Sequence, residues 1–165
     1  MKNYITLQLF KSFQKVNFYT FKFEESEHTE TDKFFLKFEL NESVADDLNN
    51  LAGWLSLIGQ KYGAKISFFR HEASAQALPP PMSKMIHEVI VNNLRLYCVC
   101  ISEQIVILAN GGLKTSQKVQ DSSDVLQHFR FANAMSKQIS DLIKDGDFEF
   151  RGKYIPNINE IELTY

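Results

Sequence analysis

The chain has 165 residues, 44 % hydrophobic and 23 % charged, ordinary globular usage that argues against disorder or a fibrous repeat. Its 18 Lys and Arg stand against 20 Asp and Glu, and the net charge of −2 excludes a strongly basic nucleic-acid binder. The average hides a split: residues 61–140 hold 9 basic and 5 acidic side chains, and the rest of the chain holds 9 and 15.

Ile5–Phe10 and Asn17–Phe23 carry aromatic and β-branched residues at strand spacing, with Tyr19, Phe21 and Phe23 on one face. The polar stretch Glu24–Asp32 predicts a loop leading into a short helix over Lys33–Phe38, although FFLKFEL also fits a strand. Ser43 followed by Asp46 resembles a capping box. Val44, Leu48, Leu51, Leu55 and Ile58 then recur at helical spacing, with Gly59 and Gly63 marking the end. Residues 64–82 read as an irregular connection, because successive prolines in ALPPP fix φ and remove backbone donors.

HEVIV, LRLYCVCI and QIVILANGG predict three strands, with turns at Asn92-Asn93 and Ser102-Glu103. Ser122 or Ser123 caps a further helix whose buried face is Val125, Phe129, Ala132, Met135, Ile139 and Leu142, stopped at Asp145-Gly146. The tail after it predicts an edge strand and an arm.

Several chemistries drop out. No P-loop, dinucleotide fingerprint, HExxH or GxSxG occurs. His28, His71, His87 and His128 are scattered without ligand spacing, and two cysteines two residues apart support neither a disulfide framework nor a zinc site. No cofactor or metal is expected. The start lacks the compact apolar block of a signal peptide, and Val89–Ala109 is interrupted by polar residues, so the expectation is a cytoplasmic protein with no membrane partner.

Alternation in LRLYCVCI places Leu94, Leu96, Cys98 and Cys100 on one face and Arg95, Tyr97, Val99 and Ile101 on the other. In a hairpin with QIVILANGG, Arg95 falls opposite Asn110 or Gly111, and Lys114 lies about 10–13 Å further along. Whether Lys114 shares the Arg95 face turns on a one-residue register. The plain reading is a strand-edge Arg whose stem packs while its head reaches solvent. The sharper one is two cations converging on a phosphate.

The run LRLYCVCISEQIVILANGGLKTSQKVQDSSDVL resembles the signature strands of the RelE/ParE/HigB superfamily of type II toxin–antitoxin toxins, over roughly residues 43–145. The resemblance implies an α+β, RelE-like fold with helices packed on one face of a mainly antiparallel sheet. Residues 1–42 would then be an N-terminal extension that adds a strand region, and 146–165 a C-terminal arm, all in one domain. It further implies a metal-independent, ribosome-associated endoribonuclease acting on mRNA, neutralised by an antitoxin with a helix-turn-helix domain.

By the same resemblance Arg95 is the phosphate ligand, and Lys114 stabilises charge on the phosphorane. Tyr97 stacks on a base or shares in proton transfer, while Lys118 and Arg130 hold the RNA backbone. Lys114 stands alone where active members carry two or more basic residues, and Thr115, Ser116 and Gln117 follow it. The alternative is a non-catalytic protein-binding module on the same scaffold. A topoisomerase-directed toxin is a third option.

Overall fold

The computed structural model describes residues 2–81 and 92–165. Two strands open the chain, β1 (Tyr4–Ser12) and β2 (Asn17–Phe23), followed by helices α1 (Glu30–Phe38) and α2 (Ala45–Leu57). Four strands follow: β3 (Arg70–Glu72), β4 (Ala75–Leu78), β5 (Leu94–Ser102) and β6 (Ile105–Leu113). Helix α3 (Ser123–Asp145) and a short strand β7 (Leu163–Thr164) complete the fold. The expected strand HEVIV lies outside the described residues. No helix among the described residues is long and apolar enough to cross a membrane.

Among the described residues, seven strands form one sheet in the order β3-β4-β5-β6-β2-β1-β7. Only β2 and β6 run parallel; every other neighbouring pair is antiparallel. The α+β class and the mainly antiparallel sheet are therefore as expected. The placing of helices on one face is not. On β6, Ile105, Ile107 and Ala109 face a core shared with α3, while Val106 and Leu108 face a second core shared with α1 and α2. The unbroken apolar runs of β5 and β6 follow from that arrangement, because a strand covered on both sides has no polar face to show.

The strands expected of residues 1–42 enter the same sheet. Strand β2 lies between β6 and β1, and its Phe18 and Phe21 are buried in the two opposite cores. Residues 146–165 fold back as well: Phe148, Ile155, Ile161 and Leu163 are buried against the α3 core, and β7 pairs with β1. Each such large apolar side chain contributes roughly 1.5–3 kcal/mol on burial, so neither terminus is an optional arm.

Local signals explain most boundaries. Thr29 accepts the Asp32 N–H at 3.1 Å and starts α1 within the stretch expected to be loop. The expected stripe of α2 is buried at Val44, Leu51, Leu55 and Ile58, but Asn41 rather than Ser43 makes the leading side-chain bond, accepting the Ser43 N–H at 3.1 Å. A π-turn (Ile58–Tyr62) extends α2 to Gly63, whose φ of +82° suits a residue without a Cβ. Gly146 ends α3 in the left-handed region, as expected. Residues 64–81 are less irregular than the prolines suggest, since β3 and β4 form a hairpin on the edge of the sheet before Pro79.

Candidate functional site

The β5–β6 hairpin fixes the centre of the site. The predicted alternation holds: Leu94, Leu96, Cys98 and Cys100 belong to the α1/α2 core, and Tyr97, Val99 and Ile101 to the α3 core. Arg95 therefore emerges on the α3 face. Its cross-strand partner is Gly112, not Asn110 or Gly111. The difference comes from a bulge: between the pairs Leu96–Gly111 and Cys98–Leu108, β6 advances three residues while β5 advances two. The groups freed there find partners, with Thr31 Oγ1 donating to the Ala109 carbonyl at 3.0 Å and Asn110 Oδ1 accepting the Gly111 N–H at 2.7 Å.

The two glycines after the IVIL strand serve close approach. A Cβ on Gly111 would fall 1.7 Å from the Arg95 carbonyl oxygen, and one on Gly112 would fall 2.5 Å from Asp124 Oδ2. Asp124 uses that space to accept the Leu113 N–H at 2.7 Å, and it pairs with Lys37 of α1. Burial pushes the Asp124 carboxyl up, but the Leu113 N–H and Lys37 outweigh burial and hold it below its ordinary value. The strand end is thus tied to both helices. Lys114 N–H donates to the Asn93 carbonyl at 2.8 Å. Lys114 follows the last residue of β6, and its place beside Arg95 is seen in the cavity that both of them line.

Arg95 and Lys114 line one cavity of about 590 Å³ together with Asn93, Leu113, Thr115, Ser116 and Gln117. Asn92, expected only as a turn residue, braces it. Its amide donates to the Asp47 carbonyl at 2.9 Å, its Oδ1 accepts the Leu94 N–H at 3.0 Å, and its carbonyl accepts from Arg95 Nη1 at 2.6 Å. Ser122, one of the two expected caps, stands at the N-cap of α3 but turns its hydroxyl to the cavity loop and accepts the Ser116 N–H at 2.9 Å.

Arg95 is only 8 % exposed. Its Nη1 also donates to the Leu94 carbonyl at 2.8 Å, while its Nε is buried without a partner. Burial, with Arg70 adding repulsion, lowers the guanidinium to about 10, so it remains charged at neutral pH. Tyr97 is fully buried, edge-on to Phe129 of α3, and its hydroxyl has no partner either. Burial and the nearby Glu72 hold the phenol well above the ordinary tyrosine value, so it stays protonated. The expected stacking of a base on Tyr97 does not fit this arrangement, because no ring surface is open. Lys118 and Arg130 are both exposed, and neither lines the cavity.

Two charged residues went unnoticed in the sequence. Arg70 and Glu72 sit on edge strand β3, where Arg70 pairs with Ala77 and Ala77 with Tyr97. They share the face of Arg95 and Tyr97, and Lys114, Arg95 and Arg70 all act electrostatically on the Glu72 carboxylate. Arg70 also donates from Nε to the Pro79 carbonyl at 2.9 Å, which gives the proline segment a place in the site. Nothing in RHE, three polar residues after an aromatic pair, marks a strand or a site. Among the described residues no group of three or more His, Cys, Asp or Glu could hold a metal ion. Comparison with protein-family models, with curated proteins and with solved structures finds no match.

Proposed function

We propose that the protein is the toxin-like component of a type II toxin–antitoxin pair, a cytoplasmic endoribonuclease that acts on mRNA at the ribosome without a metal ion. One observation carries the reading: Arg95 and Lys114, 19 positions apart in sequence, line a single polar cavity at the end of the β5–β6 hairpin. The order of elements supports it too, with helices, an Arg-x-Tyr strand, an IVIL strand, a strand-end Lys and a closing helix in succession. Residues 1–42 are part of this fold rather than an appendage to it.

In this reading Arg95 presents a fixed cation to the scissile phosphate, and Lys114 stabilises negative charge as the neighbouring 2′-hydroxyl attacks phosphorus. Tyr97 acts from beneath, as a neutral phenol beside Arg95, rather than as a stacking surface. Two principal cations on a chain of charge −2 imply weak RNA capture with a shallow dependence on salt, so that the strand has to be presented by the ribosome. An antitoxin of helix-turn-helix type would neutralise it by covering the cavity.

Expression in a host cell is expected to arrest growth, and a neighbouring partner protein to relieve the arrest. The double variant Arg95→Ala/Lys114→Ala is expected to fold and to lose the arrest entirely. Persistent arrest by the folded double variant sinks the assignment. A non-catalytic protein-binding module is the second reading, favoured by the engagement of Arg95 Nη1 with two backbone carbonyls. Ribosome-containing extracts separate the two, since only the first reading yields cleaved mRNA.

A further inference from the structure

Edge hairpin β3–β4 carries the charge pattern that the proposed reading does not use. Alanine at both inward positions of β4, Ala75 and Ala77, leaves only methyl groups between the long side chains of β3 and those of β5. Arg95 and Lys114 line the cavity, Arg70 shares the Tyr97 face beside it through Ala77, and Glu72, two residues on from Arg70, lies within electrostatic reach of all three cations. Yet Glu72 forms no ion pair: among the described residues the ion pairs are Lys33–Glu30 and Lys37–Asp124. Arg95 Nε and the Tyr97 hydroxyl meanwhile remain buried without partners. Buried donors of this kind ordinarily find an acceptor, and leaving one unmade costs more than a surface contact returns.

We propose that Arg70, Arg95, Lys114 and Tyr97 form a binding site for an oxyanion, and that Glu72 is its built-in competitor. The three cations exceed the single carboxylate by two charges, so a bound oxyanion completes the balance and supplies the acceptor that the two buried donors lack. Glu72, held near the cations but not bonded to them, offsets part of their field while the site is free. Neutralising Glu72 removes that offset and strengthens anion binding. The inference deepens the proposed reading at the same site, but its ligand is any tetrahedral oxyanion, whether a free sulfate or phosphate or one diester group of an RNA strand.

Protonation is one way to neutralise Glu72. Burial raises its carboxyl above the ordinary value, against the opposing pull of Lys114, Arg95 and Arg70. The charged and titratable groups facing it are Arg70 on its own strand, Arg95 and Tyr97 on β5, and Lys114 after β6. Helix α3 meets the hairpin through Asn133 and Ser136, which bond to Ser74 and Ala75 and carry no charge. Asp47 acts on Arg95 from the other side. As pH falls through the raised value, Glu72 becomes neutral and the site takes an anion more tightly.

Sulfate, which does not titrate in this range, is the probe. Its binding to the full chain at low ionic strength is followed by calorimetry between pH 5 and 8. Glu72→Gln is expected to bind sulfate about tenfold more tightly than the wild type at pH 8, the effect of removing one nearby charge. The wild type is expected to approach the variant as pH falls, and the variant to show a flat profile. Lys114→Met is expected to weaken sulfate binding in either background. A deoxy dinucleotide phosphodiester forms the second arm: tighter binding than sulfate marks an RNA-strand site, equal binding a free-ion site.

Equal affinity of wild type and Glu72→Gln at every pH overturns the proposal, as does failure of both to bind sulfate. The wild-type pH profile tests it even without the variant. Growth arrest that depends on Arg95 and Lys114, with no effect of Glu72 on sulfate, overturns this inference alone. Tighter sulfate binding by Glu72→Gln without RNA cleavage overturns the endoribonuclease reading alone.

Discussion

The α3 face of the sheet is built in two unlike halves. Over β1, β2 and the start of β6, it is filled by Ile5, Leu7, Tyr19, Phe21, Ile105 and Ile107, with Phe131, Met135 and Ile139 of α3 and the returning tail above them. Over β3, β4 and the start of β5, the same face offers Ala75 and Ala77 between Arg70, Glu72, Arg95 and Tyr97. One half satisfies itself with apolar contacts, and the other leaves two buried polar atoms without partners. A protein selected for stability alone would close both halves alike. On the proposed reading the β3–β5 end is the working half, and substitutions in the two halves should respond differently.

The largest effect is expected in the filled half. Phe21 is fully buried and packs edge-on against Phe131 at a centroid distance of 5.5 Å. Phe21→Ala is expected to cost about 3–5 kcal/mol in chemical denaturation, from lost burial plus the cavity left behind. An equally buried aromatic that could be removed for under 1 kcal/mol would break the claim that this half is the stabilising one.

Asp124 joins the halves, since it holds the end of β6 and so the position of Lys114. Asp124→Ala is expected to cost about 1–2 kcal/mol, because the Leu113 N–H loses its acceptor. Asp124→Asn, which keeps an oxygen there, should restore most of that. The Asp124 carboxyl is held below its ordinary value in the folded state. Its stabilisation is therefore complete above the unfolded carboxylate value and is lost as pH falls through the lower folded value. Acid titration of stability should show a smaller loss below about pH 4 in Asp124→Asn than in the wild type.

How much of this contrast was visible beforehand depends on distance in sequence. The faces of LRLYCVCI were legible because alternation is a local property, and so was the stop of α3 at Gly146. The register of Arg95 was missed by one or two residues because the bulge lies on the partner strand. Arg70 and Glu72 were missed because three polar residues do not announce a strand, and only the hairpin through Ala77 brings them to Tyr97. The parallel pairing of β2 with β6 joins segments more than 80 residues apart, as with Asn17 and Ile105, and no local pattern encodes it. The reading of helices on one face failed for the same reason. A run such as IVILA is apolar on both sides but does not say which helix covers each.

The hairpin turn that presents Glu72 offers a smaller effect. Ala73 has a φ of +59°, a left-handed conformation that costs a residue with a Cβ on the order of 1–2 kcal/mol. Asn133 holds the turn, its Oδ1 accepting the Ser74 and Ala75 N–H groups at 2.8 and 3.0 Å. Ala73→Gly is expected to gain about 1 kcal/mol in denaturation while leaving sulfate affinity unchanged. A loss of stability would mean that the turn is not strained in solution.

The smallest change makes the sharpest comparison. Removing one hydroxyl from a hydrogen-bonded core tyrosine ordinarily destabilises, but the Tyr97 hydroxyl is buried without a partner in the free protein. Replacing it removes an unmade bond rather than a made one, so Tyr97→Phe is expected to be neutral or to stabilise by less than about 1 kcal/mol. If the hydroxyl finds its acceptor in a bound oxyanion, the same variant should gain less thermal stability from saturating sulfate than the wild type does. A Tyr97→Phe protein that is less stable without sulfate, yet gains as much from it, would show that the hydroxyl has an internal partner. The open half of the sheet would then be as self-sufficient as the filled one.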